Sequence, residues 1–348
     1  MNLFINGRFL TQRLSGVQQF GIEICKELIS TCDLTILVPA KVELRTNEFD
    51  DKIMPIGKLG GHLWEQIELP FFIKKQKNAV LLNLCNTAPI NLREQGITLH
   101  DLAFAVYPKW FDWRFSMFYN FLIPRIVRAS KHIFTVSETI KGEIINAYKV
   151  SNNKISVLGN KVSNKLIEAD ITITENLGLK EKNYYLMVGS NNPRKNFKFV
   201  ENLFLTDLKH LTLVIVGGSH EAFNSTESVN SENIIYLDFA KLGELKWLYE
   251  NAIALINPSI YEGFGIPNLE AIACKTLVFC SNIPVFKEIY KDSVCYFELN
   301  DNQSLKALIL EQQLQPASFE IFKQKGVLLL NAFQNRNRAT EILNVMSK

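Results

Sequence analysis

The chain has 348 residues, 47% of them apolar and 21% charged, with a formal net charge of +3 and a pI near 8.4. That length suits two domains better than one, and the composition excludes a disordered chain. The weak positive charge excludes the basic stripe of a nucleic-acid binder. Six cysteines (Cys25, Cys32, Cys85, Cys274, Cys280 and Cys295) show no C-x-x-C pair and no metal-type spacing. Buried free thiols in a reducing compartment are therefore expected, not a disulfide framework. Met1–Arg8 lacks a signal-peptide pattern, and no apolar run reaches the roughly 20 residues that span a bilayer. The expected location is cytoplasmic.

In chain order, short apolar runs alternate with amphipathic stretches, the rhythm of βα units on a parallel sheet. In the first half Leu3–Asn6, Leu34–Val38, Ala79–Leu82, Ile97–Leu99, Ile133–Val136 and Ile155–Leu158 read as strands. Val17, Phe20, Ile24 and Leu28 share one face of a helix between the first two. In the second half Tyr185–Val188, Leu211–Val216, Ile234–Leu237, Ile253–Ile256, Leu277–Cys280 and Val294–Phe297 repeat the pattern. Two such sets exceed one ordinary sheet, and the polar stretch Ser163–Asn183 is the best linker. The expected fold is α/β, with two Rossmann-like doubly wound domains facing a cleft. Their boundaries are 1–164 and 165–330, and a C-terminal helix at about 331–348 packs back on the first.

Chemistry concentrates at Ser259–Ala271, which follows a strand and opens a helix. Gly263 and Gly265 let the backbone approach a ligand, and Pro267 fits the first helical turn. The free N–H groups at this positive helix end suit phosphate or sugar hydroxyls. Glu262 and Glu270 stand eight residues apart, ~12 Å along an ideal helix. That is too far for a pair acting on one glycosidic bond, which needs about 5–9.5 Å, but it suits the two ends of a long ligand. A second segment, Gly189-Ser190-Asn191-Asn192-Pro193-Arg194-Lys195-Asn196, places two cations on a strand-to-helix loop. They match a diphosphate leaving group, with Arg as a fork and Lys as a point charge. Gly217-Gly218 at a strand end is a weaker sign of close backbone approach. His100 ends a predicted strand; it reads either as a sugar-facing group or as a structural cap with Asp101 setting its tautomer. Gly16 at a helix start admits a phosphate, although the full dinucleotide fingerprint is absent. The aromatic stretch Tyr107–Tyr119 reads as a buried helix or as an interfacial patch carrying Lys109 and Arg114.

Pro258–Ala271 (P-S-x-Y-E-G-F-G-x-P-x-L-E-A) and Gly189–Asn196 (G-S-x-x-P-R-K-N) resemble glycosyltransferase family 4, whose members are retaining enzymes of the GT-B fold. The likeness extends to Asn6-Gly7-Arg8-Phe9 with Ser15–Gln18, to Asn83–Pro89 and to His100-Asp101-Leu102, as in surface-polysaccharide members. It implies an enzyme that moves a hexose or deoxyhexose from a nucleoside diphosphate sugar to a glycan acceptor, lipid-linked in such pathways. The first domain then takes the acceptor, with a peripheral membrane contact where that acceptor is lipid-linked, and the second domain takes the donor. His100, Glu262, Arg194 and Lys195 are the implied catalytic groups. Gly16, Gly189, Ser190, Arg194, Lys195, Gly263, Phe264, Gly265 and Glu270 are the implied donor-binding ones. Glu262 faces the sugar, Glu270 holds the ribose, and Leu237–Leu242 lies near the base. No metal and no cofactor beyond the co-substrate are expected. Departures are Gln19 where relatives carry Arg, Lys275 and Leu277 in place of Gly and Pro, and the order Gly159-Asn160-Lys161-Val162. Two other readings stay open: an epimerase or hydrolase of sugar nucleotides, and a catalytically silent partner subunit.

Overall fold

A computed structural model describes residues 1–46, 48–172, 179–190, 192–217, 231–299 and 301–347. The chain divides into two units, residues 1–160 with 336 onward, and residues 161–335. The first holds seven parallel strands: β1 (Asn2–Asn6), β2 (Leu34–Pro39), β3 (Ile53–Ile56), β4 (Ala79–Asn83), β5 (Gln95–Leu99), β6 (His132–Thr135) and β7 (Ile155–Val157). Their order is β3-β2-β1-β4-β5-β6-β7. The second holds β8 (Tyr184–Val188), β9 (Thr212–Val216), β10 (Ile234–Leu237), β11 (Ala254–Asn257), β12 (Leu277–Ser281) and β13 (Cys295–Phe297), also parallel, in the order β10-β9-β8-β11-β12-β13. Two doubly wound α/β units are thus present, as the alternating pattern indicates.

The central strands are apolar along their middles, with Asn6, Asn83 and Asn257 at their carboxyl ends, because helices cover both faces of such sheets. Ile5 of β1 pairs with Ile36 on one side and Leu82 on the other, and all three are buried. In the second unit Tyr185, Met187, Phe204, Ile215, Ile256 and Phe279 share one core. β3 carries no strand signal in the sequence. Its Ile-Met-Pro-Ile run contains Pro55 and is at most half-buried, which is permissible only at a sheet edge.

The helix Gly16–Ile29 starts at Ser15, whose hydroxyl accepts from the Val17 N–H, and it buries Phe20, Ile24 and Leu28 as the spacing requires. The last helix, Arg338–Met346, lies on it within the first unit: Arg338 is fully buried, with Nη2 2.6 Å from Glu27 Oε1. The preceding helix, Glu320–Gln334, belongs to the second unit. Within the expected linker, Ser163 caps a single helical turn, Asn164–Ile167, while residues 173–178 lie outside the described residues. Among the described residues no helix is long and apolar enough to cross a membrane.

Topology places the sites. Strand order reverses between β1 and β4 in the first sheet and between β8 and β11 in the second. Open α/β sheets bind ligands at such points, beyond the carboxyl ends of the strands.

Candidate active site

At the second reversal, β8 leads into Gly189 and a single 3₁₀ turn, Pro193–Lys195, capped by the Asn192 side chain. Asn196 in the left-handed conformation (φ +53°) redirects the chain into the helix Phe197–Thr206. Beside it, β11 runs into Pro258–Gly265 and then the helix Ile266–Ala273. Gly265 adopts φ +88°, and a Cβ there would lie 2.4 Å from the Phe286 ring, so this bend requires glycine. Tyr290 fixes the bend by donating its hydroxyl to the Gly265 carbonyl at 2.7 Å. Gly217 follows β9 with φ +89°, and a Cβ there would lie 2.7 Å from the Gly189 carbonyl oxygen. Its neighbour Gly218, like Asn191, lies outside the described residues.

This turn chemistry brings Arg194, Lys195 and Glu262 together. Glu262 is 6% exposed, with Oε1 2.6 Å from Lys195 Nζ and Oε2 3.3 Å from Arg194 Nη1. Ser259 Oγ also donates to Glu262 Oε1 at 3.0 Å. Burial pushes the Glu262 carboxyl up, but the adjacent Lys195 and Arg194 charges outweigh it and hold the group at about 2. Glu262 is therefore an anion at neutral pH, and the cluster carries one more cation than anion.

Glu270 takes a different setting in the helix. Tyr249, fully buried on the helix Leu242–Asn251, donates to Glu270 Oε2 at 2.8 Å. Burial raises the Glu270 carboxyl above its ordinary value, and the Tyr249 hydroxyl and the Lys195 charge oppose this only in part. Lys195 thus acts on both carboxylates. Tyr249, Asn257 and Tyr290 have no mark of their own in the sequence because each sits in a run that reads as core, and Ser259, which opens the motif, has no role assigned there. The one available signal was the polar pair Asn257 and Ser259 at the end of an apolar strand.

Several expected donor-binding residues stand differently. Phe264 is 4% exposed, and its ring packs edge-on against Phe333 and Tyr290, so only its backbone can serve a ligand. Gly189 borders Lys195, while Ser190 is exposed. Gly263 lies in the buried bend. Gly16 belongs to the other unit, where it opens its helix with open space around it.

His100 also belongs to the first unit. Its Nε2 hydrogen-bonds the Leu84 carbonyl at 2.9 Å, and its ring meets Phe20 edge-on at 4.7 Å. Burial lowers its pKa, so the ring is neutral, with Nε2 as the donor and Nδ1 as the acceptor. Leu84, not Asp101, sets this tautomer; Asp101 accepts from the Ala103 N–H. The buried-core reading of Tyr107–Tyr119 does not hold for Trp113, Phe115, Met117 and Phe118, which are exposed. The six cysteines are free thiols, four buried and two half-buried. Among the described residues, no three His, Cys, Asp or Glu side chains are grouped to hold a metal.

Known proteins resemble the chain in sequence and in fold. Residues 170–326 match the family model described as glycosyl transferases group 1. The O-antigen chain mannosyltransferase RfbU of Salmonella typhimurium is 32% identical over 262 residues, covering 74% of this chain and 71% of that protein. The O-antigen chain mannosyltransferase B of Escherichia coli is 26% identical over 270 residues, with 74% and 71% covered. Among solved structures, WaaG, a glycosyltransferase involved in lipopolysaccharide biosynthesis, superimposes with a TM-score of 0.73 at 13% identity over 99% of both chains. Anabaena Alr3699/HepE in complex with UDP gives 0.74 at 13% identity over 100% of both, and both likenesses speak to the fold alone. The chain belongs to the glycosyl transferases group 1 family and is a glycosyltransferase.

Proposed function

We propose that the enzyme transfers a hexose or deoxyhexose, mannose foremost, from a nucleoside diphosphate sugar to a lipid-linked glycan in the assembly of a surface polysaccharide, with retention at the anomeric carbon. The observation that carries this reading is the Arg194–Lys195–Glu262 cluster at the sheet reversal, with its excess positive charge. Arg194 and Lys195 neutralise the departing diphosphate without a metal. Glu262, held as an anion, accepts hydrogen bonds from the sugar hydroxyls. Glu270 accepts from the ribose, oriented by Tyr249. Phe239, 73% exposed just after β10, offers a face to the base. His100 contributes through its backbone and Nδ1 beside the sugar, and Gly16 leaves room for phosphate. The first unit takes the acceptor. Mannose is favoured because the two relatives in sequence named above are called mannosyltransferases.

A peripheral contact with an anionic bilayer completes the reading. In the first unit Leu63, Ile67 and Phe71 are exposed at helical spacing, and so are Trp113, Met117 and Phe121. Lys75 and Arg125 lie over the Phe71 and Phe121 rings at 3.9 and 3.5 Å, and Arg114 is near Trp113. Apolar side chains interleaved with cations match the interface of an anionic membrane.

The donor assignment is tested by calorimetric titration of UDP, GDP, dTDP and CMP, with and without EDTA. One diphosphate should bind regardless of EDTA and bind more weakly to Glu270→Ala. No binding to folded protein would sink the assignment. Vesicle co-sedimentation with and without anionic lipid tests the membrane contact.

A further inference from the structure

The first sheet reversal carries a buried polar cluster that the donor chemistry does not use. Asn6 ends β1, Arg8 follows in a 3₁₀ turn, and Thr87 follows β4. All three meet Glu65. Asn6 Nδ2, Arg8 Nε and Thr87 Oγ1 donate to Glu65 Oε1 at 2.8, 3.2 and 2.9 Å, and Arg8 Nη2 donates to Thr87 Oγ1 at 2.6 Å. Glu65 is 1% exposed and sits in a π-helical turn, Trp64–Glu68, a widening often found at functional sites.

The other carboxylate oxygen looks outward. Glu65 Oε2 lies 3.2 Å from Nδ1 of His62, whose side chain is 34% exposed. With Nδ1 turned to the carboxylate, Nε2 is the outer ring nitrogen, left to hydrogen-bond a ligand. The His62 ring is flanked edge-on by Phe118 at 5.0 Å and Tyr119 at 6.1 Å. Phe118 is 38% exposed. A half-exposed imidazole aimed by a buried anion, beside two aromatic rings, fits a sugar ring. A sugar offers C–H patches to the aromatics and a hydroxyl to the imidazole.

We propose that His62, aimed by Glu65 and flanked by Phe118 and Tyr119, binds a hydroxyl of the acceptor glycan at the β1/β4 reversal. Glu65 is its positioning residue. This rests on the reading that the first unit takes the acceptor, and it names the residues that do so.

The test is imidazole ¹H–¹³C NMR on the full chain, titrated with methyl glycosides of mannose, rhamnose, galactose and N-acetylglucosamine. The His62 signal is assigned by its loss in His62→Gln. At least one glycoside should shift that signal and saturate. Affinity should fall about tenfold in His62→Gln, read by ligand saturation transfer, and by a similar factor in Glu65→Gln. Nucleoside diphosphate binding to His62→Gln should match wild type. A His62 signal unmoved by every glycoside overturns the inference, as does a His62→Gln variant that binds as wild type. His62 lies on the surface, so that variant does not depend on Glu65 being tolerated as Gln. Glycoside binding through His62 in a protein that binds no nucleotide would support this inference while sinking the donor reading.

Discussion

The two sheet reversals make a natural comparison. Each sets a buried carboxylate against at least one basic side chain at the carboxyl ends of a parallel sheet, Glu65 in the first unit and Glu262 in the second. At Glu65 one arginine and two neutral donors spend themselves on a single oxygen, and a histidine takes the other. At Glu262 two full cations share one anion, and the Arg194 side chain is still 24% exposed. The first arrangement is balanced in charge and reaches the surface through a half-exposed histidine, which suits a neutral ligand met through hydrogen bonds. The second keeps surplus positive charge, which suits an anion such as a diphosphate. Equal topology therefore does not impose equal chemistry; the ratio of cations to anions at each reversal separates them.

The largest effect should come from breaking the balanced cluster. Glu65→Ala leaves Arg8 buried without its counter-ion, and about 3–5 kcal/mol of stability should be lost, read as a lower urea midpoint. Glu262→Ala should cost less stability, because Arg194 can rehydrate. Equal losses would show that the two clusters do the same structural work.

Activity should respond in the opposite sense. Lys195→Ala should lower transfer by roughly 10²–10³-fold with the fold intact by circular dichroism, the usual cost of losing one preorganised charge on a leaving group. Wild-type turnover would remove Lys195 from the chemistry.

Acid sharpens the contrast next. The Glu262 carboxyl is held at about 2, below its ordinary 4.5, so its contribution is present above about pH 4.5 and lost as pH falls toward 2. Glu65 is also lowered and has the same sign. Glu270 is raised, so its contribution is present at low pH and lost as pH rises through its folded value. Between pH 5 and 3 the wild type should lose about 2 kcal/mol more stability than Glu262→Gln. Parallel pH profiles in urea would contradict the pairing. The smallest change belongs to Tyr249→Phe. It removes one hydrogen bond to Glu270 and should cost about 1 kcal/mol, with nucleotide affinity a few-fold weaker by calorimetry.

The sequence by itself determined the alternation of strands and helices, because apolar runs buried on both faces and helical stripes such as Phe20–Ile24–Leu28 leave periodic marks. It also determined the glycine-proline turn at Gly263–Pro267 and the Arg194-Lys195 pair, since local chain geometry demands those residue types. Only the tertiary structure decided which groups meet. Glu65 and Arg8 are 57 positions apart, and Tyr249 reaches Glu270 from another helix. Neither pairing has a period or a spacing to read. Tertiary packing also turned His100 toward Leu84, put Phe264 into the core and left Trp113 and Met117 outside. A side chain's direction follows from what packs around its element, and one-dimensional patterns do not record those neighbours.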